Sequence, residues 1–531
     1  STSNETSTGT ELVQNGNFSE LGSDLILNGD FAEVGSDLVT NGDFSAAGSN
    51  LVSNPNFTDT GIELVDNNDF SNGTTDWSDE GSSTISVGTH EGRSNVADIN
   101  ITGTSTADRI EQPFTYVNGA SYKVTVEVYV VSGSFRIDCR DTFVTTDFIS
   151  TTTTGEWQTL TAYITAIQSG TDVIWLRSNT PGGISQFYVD SVSIKELGAD
   201  WTVINDGTAS TYFGENKVQL VTSGDYTDVT QLQNIDLGKS YKYSFEVVDY
   251  VVGSAFFQIG GVNVVSGINA DGVYSGYYTS PTGNDHFLFK RGGATDLGIT
   301  NVSVQELGEG WTLATGWSIG EDKAICDGTQ TGDTPLRQND VFTSGNSYKL
   351  TFDFIGNGQT FKFWVNGSQL IFSSALSDGS KEYYFAASVS GKAYFEATSS
   401  FIGSITNITV QEVGQDWTLT SGASITALGA KITHTPTAGQ ISQASVLELE
   451  KRYKLTYEIT ENISGGLKTN SAVITTMVTT VGTHTRYFEA DDTTFIIART
   501  SAVDNDVTIT NITVQELDPN DYWTLGTGWS I

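Results

Sequence analysis

Ser121-Tyr-Lys-Val-Thr-Val-Glu127 is the stretch that decides the fold, because this pattern returns three more times along the chain. The copies begin at Ser240, Ser347 and Arg452. In every copy polar and apolar residues alternate, which predicts a β-strand with one buried face. Successive copies start 119, 107 and 105 residues apart. A long repeat of this kind predicts tandem copies of one β-domain.

A second pattern closes each unit and is followed within a few residues by a tryptophan. Its first copy is Val189-Asp-Ser-Val-Ser-Ile-Lys-Glu-Leu197, another alternating strand. The later copies read Thr300–Leu307, Thr406–Val413 and Thr510–Leu517, and the tryptophans are Trp201, Trp311, Trp417 and Trp523. The two patterns together predict four modules, at 64–198, 199–308, 309–414 and 415–518. Residues 519–531 look like the start of a truncated fifth module.

The predicted fold class is all-β, with tandem β-sandwich modules of the jelly-roll type. Units of this length with many short strands suit such a sandwich. The linkers between modules, such as Gly198-Ala-Asp200, are only a few residues long. Short linkers restrict bending, so a rod is favoured over loosely joined beads.

The N-terminal segment carries a shorter repeat of 13 residues, exemplified by Leu38-Val-Thr-Asn-Gly-Asp-Phe44. Its copies start at Leu12, Leu25, Leu38, Leu51 and Leu64. A single copy cannot bury its Leu and Phe alone and needs stacked neighbours or identical chains. We therefore predict that residues 1–63 form a β stem wound from several copies of the chain. A flexible low-complexity tail is the alternative.

Composition and charge narrow the function classes. The formal net charge is −38, so nucleic acid and anionic lipid are not expected partners. No run of about 18 apolar residues is present, so no membrane insertion is expected. The two cysteines, Cys139 and Cys326, fall in different predicted modules and are expected to be inert thiols.

The first module resembles the carbohydrate-binding-module jelly rolls that are attached to many glycosidases. The resemblance is carried by Leu64-Val-Asp-Asn-Asn-Asp-Phe70, Trp77 and the closing Phe187-Tyr-Val-Asp190. The later modules are similar at the level of fold only. Tandem, acidic, Gly/Thr-rich modules of this type resemble the shafts of phage tail or head fibres, and that resemblance implies a homotrimer that reaches the host surface.

The same resemblance implies a structural calcium ion in the first module. The matching ligand positions are Asp69, near the opening strand, and Asp190, in the closing strand, and carboxylates suit this cation. A pair of solvent-facing carboxylates is the alternative. In the other modules the closing Asp is replaced by Asn301, Asn407 and Asn511, which makes calcium less expected there. We expect these Asn side chains to bond the backbone instead.

Sugar-binding modules stack exposed aromatic rings on sugars, and four side chains are candidates here. They are Trp157, Trp175, Trp364 and Tyr394. Ordinary core packing is the favoured interpretation of each, since aromatic residues dominate sandwich cores. The ligand-binding residues therefore stay unknown at this stage.

Catalysis has little support in the sequence. The four histidines stand at unrelated module positions, and there is no nucleophile elbow, phosphate loop or Cys-x-x-Cys. We expect a non-enzymatic protein without catalytic or cofactor-binding residues. A glycosidase hidden among the 63 acidic residues stays open.

The sequence thus predicts a structural fibre protein of a virion, located outside the cell. Its N-terminal side would contact a virion adaptor or capsid protein. Its C-terminal side would present a region that binds a host glycan or receptor. The alternative is a bacterial surface adhesin or a secreted array of carbohydrate-binding modules, and a fragment of an enzyme is a weaker third interpretation.

Overall fold

The computed structural model describes most of the chain between residues 20 and 524. The described ranges are 20–58, 60–138, 149–180, 183–207, 209–214, 216–281, 283–420, 422–434, 439–469, 476–500, 504–519 and 523–524. Within them the chain is an all-β protein of tandem β-sandwiches, and no helix there could cross a membrane. The chain forms two compact units, one of residues 47–307 and one of residues 1–46 with 308–531.

Four short strands come first, and we call residues 20–70 the arm. They are β1 (Leu21–Asp24), β2 (Val34–Asp37), β3 (Ala47–Asn50) and β4 (Thr60–Glu63). Each immediately precedes one copy of the 13-residue repeat, so the arm presents a strand and then a Leu-to-Phe segment four times.

The first sandwich is built from two antiparallel sheets. Its strands are β5 (Ser78–Glu80), β6 (Ser83–His90), β7 (Arg93–Ile101), β8 (Arg109–Tyr116), β9 (Ser121–Ser132), β10 (Phe135–Asp138), β11 (Ile149–Thr151), β12 (Trp157–Thr165), β13 (Gly170–Arg177) and β14 (Ser185–Leu197). One sheet has the order β12-β9-β14-β7-β6 and the other β11-β10-β13-β8-β5. The alternating residues of β9 and β14 line the core between the sheets.

The second sandwich repeats this plan in the same compact unit. Its strands are β15 (Thr202–Asn205), β16 (Tyr212–Gly214), β17 (Lys217–Thr222), β18 (Thr227–Leu232), β19 (Ser240–Val252), β20 (Ala255–Ile259), β21 (Val262–Ile268), β22 (Gly272–Thr279), β23 (His286–Arg291) and β24 (Thr295–Leu307). The sheet orders are β16-β17-β24-β19-β22 and β15-β18-β23-β20-β21.

The third sandwich belongs to the other unit. Its strands are β25 (Trp311–Leu313), β26 (Trp317–Gly320), β27 (Lys323–Cys326), β28 (Thr334–Phe342), β29 (Ser347–Gly356), β30 (Thr360–Val365), β31 (Gln369–Ala375), β32 (Gly379–Ala386), β33 (Gly391–Ala397) and β34 (Gly403–Val413). The sheet orders are β26-β27-β34-β29-β32 and β25-β28-β33-β30-β31.

The fourth sandwich follows in that unit. Its strands are β35 (Thr418–Leu419), β36 (Ala423–Thr426), β37 (Gly429–Thr433), β38 (Gln440–Gln443), β39 (Arg452–Ser464), β40 (Leu467–Thr469), β41 (Gly482–Glu489), β42 (Phe495–Arg499) and β43 (Asp506–Leu517). The sheet orders are β36-β37-β43-β39-β41 and β35-β38-β42-β40.

The repeated pattern that begins at Ser121, Ser240, Ser347 and Arg452 is called the deciding pattern below. Its tyrosine has the same role in all four sandwiches. It is about 1 % exposed, and its hydroxyl accepts a hydrogen bond from the backbone N–H five residues earlier. These residues are Tyr122, Tyr241, Tyr348 and Tyr453. Burial raises the pKa of Tyr241 to about 12, so the phenol that accepts this hydrogen bond stays neutral. The repeated tyrosine therefore ties the start of its strand to the loop before it.

The predicted stem is wrong for the described part of the N-terminal segment. Residues 20–58 and 60–63 do not form a separate domain, because β1 to β4 each pair antiparallel with the closing strand of a sandwich. The order is reversed: β4 pairs with β14, β3 with β24, β2 with β34 and β1 with β43. The apolar residues of the repeats are thus covered by this chain's own sandwiches. The repeat at Leu12 and most of the predicted fifth module lie outside the described residues.

Candidate functional site

Each described sandwich holds one repeat of the arm in a cleft, which we call the acceptor cleft. Its walls are the end of the closing strand, a buried tryptophan and a buried glutamine. The second sandwich shows the arrangement: Leu51 N–H donates to the Val304 carbonyl at 2.8 Å, and the Val302 N–H donates to the Pro55 carbonyl at 2.9 Å. The repeat therefore extends the sheet beyond the point where β17 stops pairing with β24.

The side-chain amide of the glutamine bonds the N–H and the carbonyl of one repeat residue, as the backbone of a neighbouring strand would. In the second sandwich the Ser53 N–H donates to Gln231 Oε1 at 2.9 Å, and Gln231 Nε2 donates to the Ser53 carbonyl at 2.9 Å. The other clefts show the same two bonds, between Gln112 and Asp66, Gln338 and Thr40, and Gln443 and Leu27. All four glutamines are at most 5 % exposed. A buried amide that satisfies both polar groups of one residue fixes the register of the arm.

The tryptophan holds the repeat by its ring and by its indole N–H. The Trp201 ring lies 5.1 Å from that of Phe57, and Trp201 Nε1 donates to the Ser53 carbonyl at 3.1 Å. The corresponding ring pairs are Phe31 with Trp417, Phe44 with Trp311, and Phe70 with Trp77, at 5.3–5.4 Å between centroids. Aromatic contacts of this kind add to the burial of the two rings.

Two residues of each described repeat adopt left-handed backbone angles. In the second cleft Asn54 has φ 46° and Phe57 has φ 56°, and the other repeats match within a few degrees. Asparagine tolerates this region, whereas for a bulky residue such as Phe it is strained. The strain persists because Phe57 is 1 % exposed and is held by Trp201 and Phe213.

A side-chain oxygen at the end of each arm strand completes the cleft. Asn50 Oδ1 accepts a hydrogen bond from the Val304 N–H at 2.9 Å. Asp24, Asp37 and Glu63 do the same for Val514, Val410 and Ile194, at 2.8–2.9 Å. One residue of each closing strand thus donates its N–H to this polar side chain and accepts, at its carbonyl, the N–H of the first residue of the repeat.

The two predicted calcium ligands have separate partners in the structure. Asp69 Oδ1 accepts a hydrogen bond from the Ser71 N–H at 3.1 Å, and hydrogen bonds from the Ser71 side chain and from its backbone lower the pKa of the carboxyl. Asp190 Oδ2 forms an ion pair with Arg93 Nη1 at 2.8 Å, and Arg93 also contacts Glu127 at 3.3 Å. Among the described residues, no group of three or more His, Cys, Asp or Glu is placed to hold a metal ion. The calcium site stays a prediction.

Asn301, Asn407 and Asn511 bond side chains rather than the backbone, and each stands one residue before the closing-strand residue that bonds the repeat, where the first sandwich has Ser191. Asn301 Nδ2 donates to Glu246 Oε2 at 2.7 Å, and Asn407 and Asn511 donate to Asp353 and Glu458 at the same distance. The acceptor is in each case the acidic residue that ends the deciding pattern. In the first sandwich that acid is Glu127, and Arg93 links it to Asp190. In the first sandwich an arginine therefore links this acid to the closing strand, whereas in the other three an asparagine of the closing strand bonds it directly.

The first sandwich also carries a patch of aromatic side chains on the open face of the β14 sheet. We call His90, Tyr129, Trp157 and Tyr188 the aromatic patch. The His90 ring stacks on Tyr188 at 3.7 Å and meets Tyr129 edge-on at 4.6 Å. Trp157 lies opposite Tyr129 across the strands, with the Arg93 guanidinium 4.1 Å from its ring. All four side chains are half-buried.

Two polar atoms of this patch are buried without a hydrogen-bond partner, His90 Nε2 and Trp157 Nε1. Such atoms are uncommon in native proteins. The patch is confined to the first sandwich, because Val248, Ile355 and Thr460 stand where that sandwich has Tyr129.

The expectation of core packing for the four candidate aromatics is wrong, since all of them are half-buried and lie outside the cores. Trp157 belongs to the aromatic patch. The Trp175 ring is contacted by the guanidiniums of Arg109 and Arg177, each 4.8 Å from its centre. Trp364 and Tyr394 are opposite each other on β30 and β33 of the third sandwich. The structure therefore brings Trp364 and Tyr394 together and keeps the other two on separate sheets.

Sequence reasoning missed the glutamines of the clefts, although a signal was present. Gln112, Gln231, Gln338 and Gln443 each stand nine residues before the start of the deciding pattern. The predicted inert thiol at Cys326 is fully buried, and burial raises its pKa to about 11. Cys139 lies outside the described residues.

Comparison with known proteins shows no family, and the solved structures that match do so at low TM-scores. No family model and no curated protein matches the chain. The CBM22-1–CBM22-2 tandem domain of Paenibacillus barcinonensis Xyn10C is 11 % identical, with a TM-score of 0.22 over 47 % of this chain and 98 % of that one. A Sulfolobus Turreted Icosahedral Virus protein is 14 % identical, with a TM-score of 0.15 over 63 % and 90 %. An archaeal virus protein with a triple jelly-roll fold is 13 % identical, with a TM-score of 0.16 over the same shares.

Proposed function

We propose that this chain is the shaft of a structural fibre, in which the arm and the sandwiches brace one another. One observation carries the proposal: neighbouring sandwiches of a unit are joined twice. The first and second are joined through Gly198–Asp200 and again through the arm between Phe57 and Thr60. The third and fourth are joined through Gly414–Asp416 and again between Phe31 and Val34.

Two connections resist bending better than one. A single short linker lets two domains rotate about it, whereas a second tether at another point removes most of that freedom. The repeat also limits the spacing of the sandwiches, because 13 residues reach at most about 43–47 Å. Stiffness and regular spacing are properties that a shaft requires and that a soluble catalyst does not.

The proposed setting is a virion, with a host-binding region presented at the far end and three chains in one fibre. The resemblance to phage fibre shafts supports this setting, and no catalytic role is assigned to the chain. A virion protein at the N-terminal side and a host glycan or receptor at the C-terminal side are the proposed partners.

Light scattering after size exclusion tests the assembly, and electron microscopy tests the stiffness. We expect a mass of three 57.0 kDa chains and straight rods of uniform length. A mass of one chain would overturn the homotrimer, and bent strings of separate beads would overturn the shaft. Antibodies against the first sandwich, applied to purified virus particles, test the location.

A carbohydrate-binding array is the second candidate, favoured by the aromatic patch alone. Half-buried rings beside Arg93, Glu127 and Asp190 offer stacking surfaces and hydrogen-bonding groups, which is how proteins hold sugars. A glycan array with the whole chain tests this role. Binding that is lost in Trp157→Ala and kept in Trp364→Ala would support it, and no binding to any glycan would overturn it.

A further inference from the structure

We propose that the acceptor cleft is a peptide-binding site that accepts repeats other than its own, so that a second copy of this chain can supply the strand. The ligand is a peptide of the type Leu-(Val/Ile)-x-Asn-x-(Asp/Asn)-Phe. The inference concerns how the clefts are filled and is independent of whether the protein serves a virion.

The variable positions of the repeat are held through their backbone. The third position is Leu27, Thr40, Ser53 or Asp66, and in each case the cleft glutamine bonds the N–H and carbonyl of that residue. Gln338 also donates to the Thr40 hydroxyl oxygen at 3.1 Å. Leu27 is 63 % exposed, so even a large apolar side chain there points away from the sandwich. Backbone recognition gives affinity without sequence information, as in other cases of strand addition.

The positions that are bound by their side chains are the same in every repeat. The small aliphatic residue and the phenylalanine enter the core: Val52 is 4 % exposed and Phe57 is 1 % exposed. The asparagine takes the left-handed angle that the turn requires. Since the four described repeats share these residues, the clefts have little means to tell them apart.

One position breaks this equivalence. A Cβ on Gly42 would lie 2.0 Å from the Ile408 carbonyl oxygen, and a Cβ on Gly29 would lie 2.0 Å from that of Ile512. In the first and second clefts this position is Asn68 and Pro55. The carbonyl of each still accepts a hydrogen bond from an N–H of the closing strand, at 2.8 and 2.9 Å. The clefts of the third and fourth sandwiches are therefore selective for glycine here, and the other two are not.

The tether then decides which repeat fills which cleft. Repeats 13 residues apart are each delivered to their own sandwich at high local concentration, so the intact chain fills its clefts from within. A repeat from a second copy competes when the cleft is empty, which occurs while the chain folds. Exchange between copies is thus expected from the unfolded state and not from the folded one.

The first experiment empties one cleft of the whole chain and offers peptides. Val52→Asp with Phe57→Ala removes both anchors of the repeat that begins at Leu51 from the second sandwich. Labelled peptides of residues 47–58 and 34–45 are titrated by fluorescence polarisation. We expect one site per chain and dissociation constants within about threefold of each other. Absence of binding by either peptide, or binding by 47–58 alone, overturns the proposal.

Two controls keep the result interpretable. Peptide 47–58 carrying Phe57→Ala lacks the ring that meets Trp201 and should not bind. If the emptied sandwich unfolds, the readout becomes recovery of its protected amides on addition of peptide, and the milder Phe57→Ala chain is tested in parallel. Failure of both peptides to restore protection in either variant counts against the proposal.

The selectivity of the third and fourth clefts for glycine, which we call the glycine rule, has its own test in the third sandwich. In a chain with Val39→Asp and Phe44→Ala, peptide 34–45 should bind and peptide 47–58 should bind at least about tenfold more weakly. Pro55→Gly in the second peptide should restore binding. Equal binding of the unmodified peptides would overturn the glycine rule.

Exchange between copies is tested with two full-length chains that carry different affinity tags. After refolding together from denaturant, the tags should co-purify, increasingly so at higher protein concentration, and mixing of folded chains should give less. Excess peptide 34–45 during refolding should abolish this co-purification, whereas a trimer that forms without arm exchange would be unaffected. Tags that never co-purify would overturn exchange.

Discussion

At the scale of single residues, Gln231 shows how one amide positions a strand that comes from far away in the sequence. Its side chain is 4 % exposed and bonds both backbone groups of Ser53. We expect Gln231→Glu to destabilise the second sandwich by about 2 kcal/mol or more, because a carboxylate cannot donate and would face the Ser53 carbonyl in a buried site. Chemical denaturation, followed by hydrogen exchange of that sandwich, measures the loss.

A matched substitution on the same sandwich separates this effect from charge alone. Gln258 is partly exposed and bonds only the Asn263 side chain. Gln258→Glu should therefore change stability by less than about 0.5 kcal/mol. Equal losses for the two variants would show that Gln231 has no special role in holding the arm.

The thiol of Cys326 gives a second prediction at this scale. It is fully buried and its pKa is raised to about 11, so almost no thiolate exists near neutral pH. In a Cys139→Ser chain we expect thiol reagents to label Cys326 only at the rate of unfolding. Because the unfolded thiol ionises near pH 9, the third sandwich should lose stability as pH rises from about 9 to 11. Rapid labelling of the folded chain at pH 8 would contradict the burial.

At the scale of elements, the repeat is the strand that completes each sandwich. We expect Phe57→Ala to cost about 3–5 kcal/mol, because it empties the space beside Trp201 and Phe213. Hydrogen exchange should then show loss of protection at the Val302 N–H, which donates to Pro55. Ile62→Ala, in an arm residue that is 81 % exposed, is the control and should change neither quantity. Protection that survives in Phe57→Ala would mean that the arm is not needed to complete the sheet.

The strands themselves could be predicted from the sequence, but the partner of each arm strand could not. Alternation at Ser121–Glu127 and its copies reports burial of one face, which is a local property. The hydrogen bond between Asp24 and Val514 joins residues that are 490 positions apart in the sequence. The bond between Glu63 and Ile194 joins residues that are 131 positions apart. Because the repeats are nearly identical, the alternation of polar and apolar residues did not reveal which repeat belongs to which sandwich.

The candidate site could be predicted less well than the fold. Asp69 and Asp190 were chosen by resemblance, and each has a partner of its own, Ser71 and Arg93, that the spacing of carboxylates does not reveal. The aromatic patch depends on which face of β9 and β14 points outward. His90 belongs to the patch because it ends β6, in a hairpin that pairs it with Arg93 at the start of β7. No motif in the sequence marks that hairpin.

At the scale of the whole molecule, the chain contributes to each described sandwich twice, first with an arm strand and later with the strands of the sandwich itself. The arm visits the fourth, third, second and first sandwiches in turn, and the chain then builds them in the opposite order. Every described sandwich after the first therefore depends on a segment made long before it. Such long-range pairing slows folding, since loops of hundreds of residues must close before the strands meet.

This order makes the two units unequal when they are separated. Residues 47–307 contain the first two sandwiches with both of their arm strands, β3 and β4, so we expect this fragment to fold alone with a cooperative transition. Residues 308–531 lack β1 and β2 and should be aggregation-prone, since Trp311 and Trp417 lose the rings that cover them. Co-expression of residues 1–46 as a separate chain should restore a soluble complex, and the same segment with Phe31→Ala and Phe44→Ala should not. Solubility, circular dichroism and native mass of the fragments measure this. A fragment 308–531 that folds as well alone as with the arm would show that the donated strands are dispensable, and would remove the arm as a structural partner of those sandwiches.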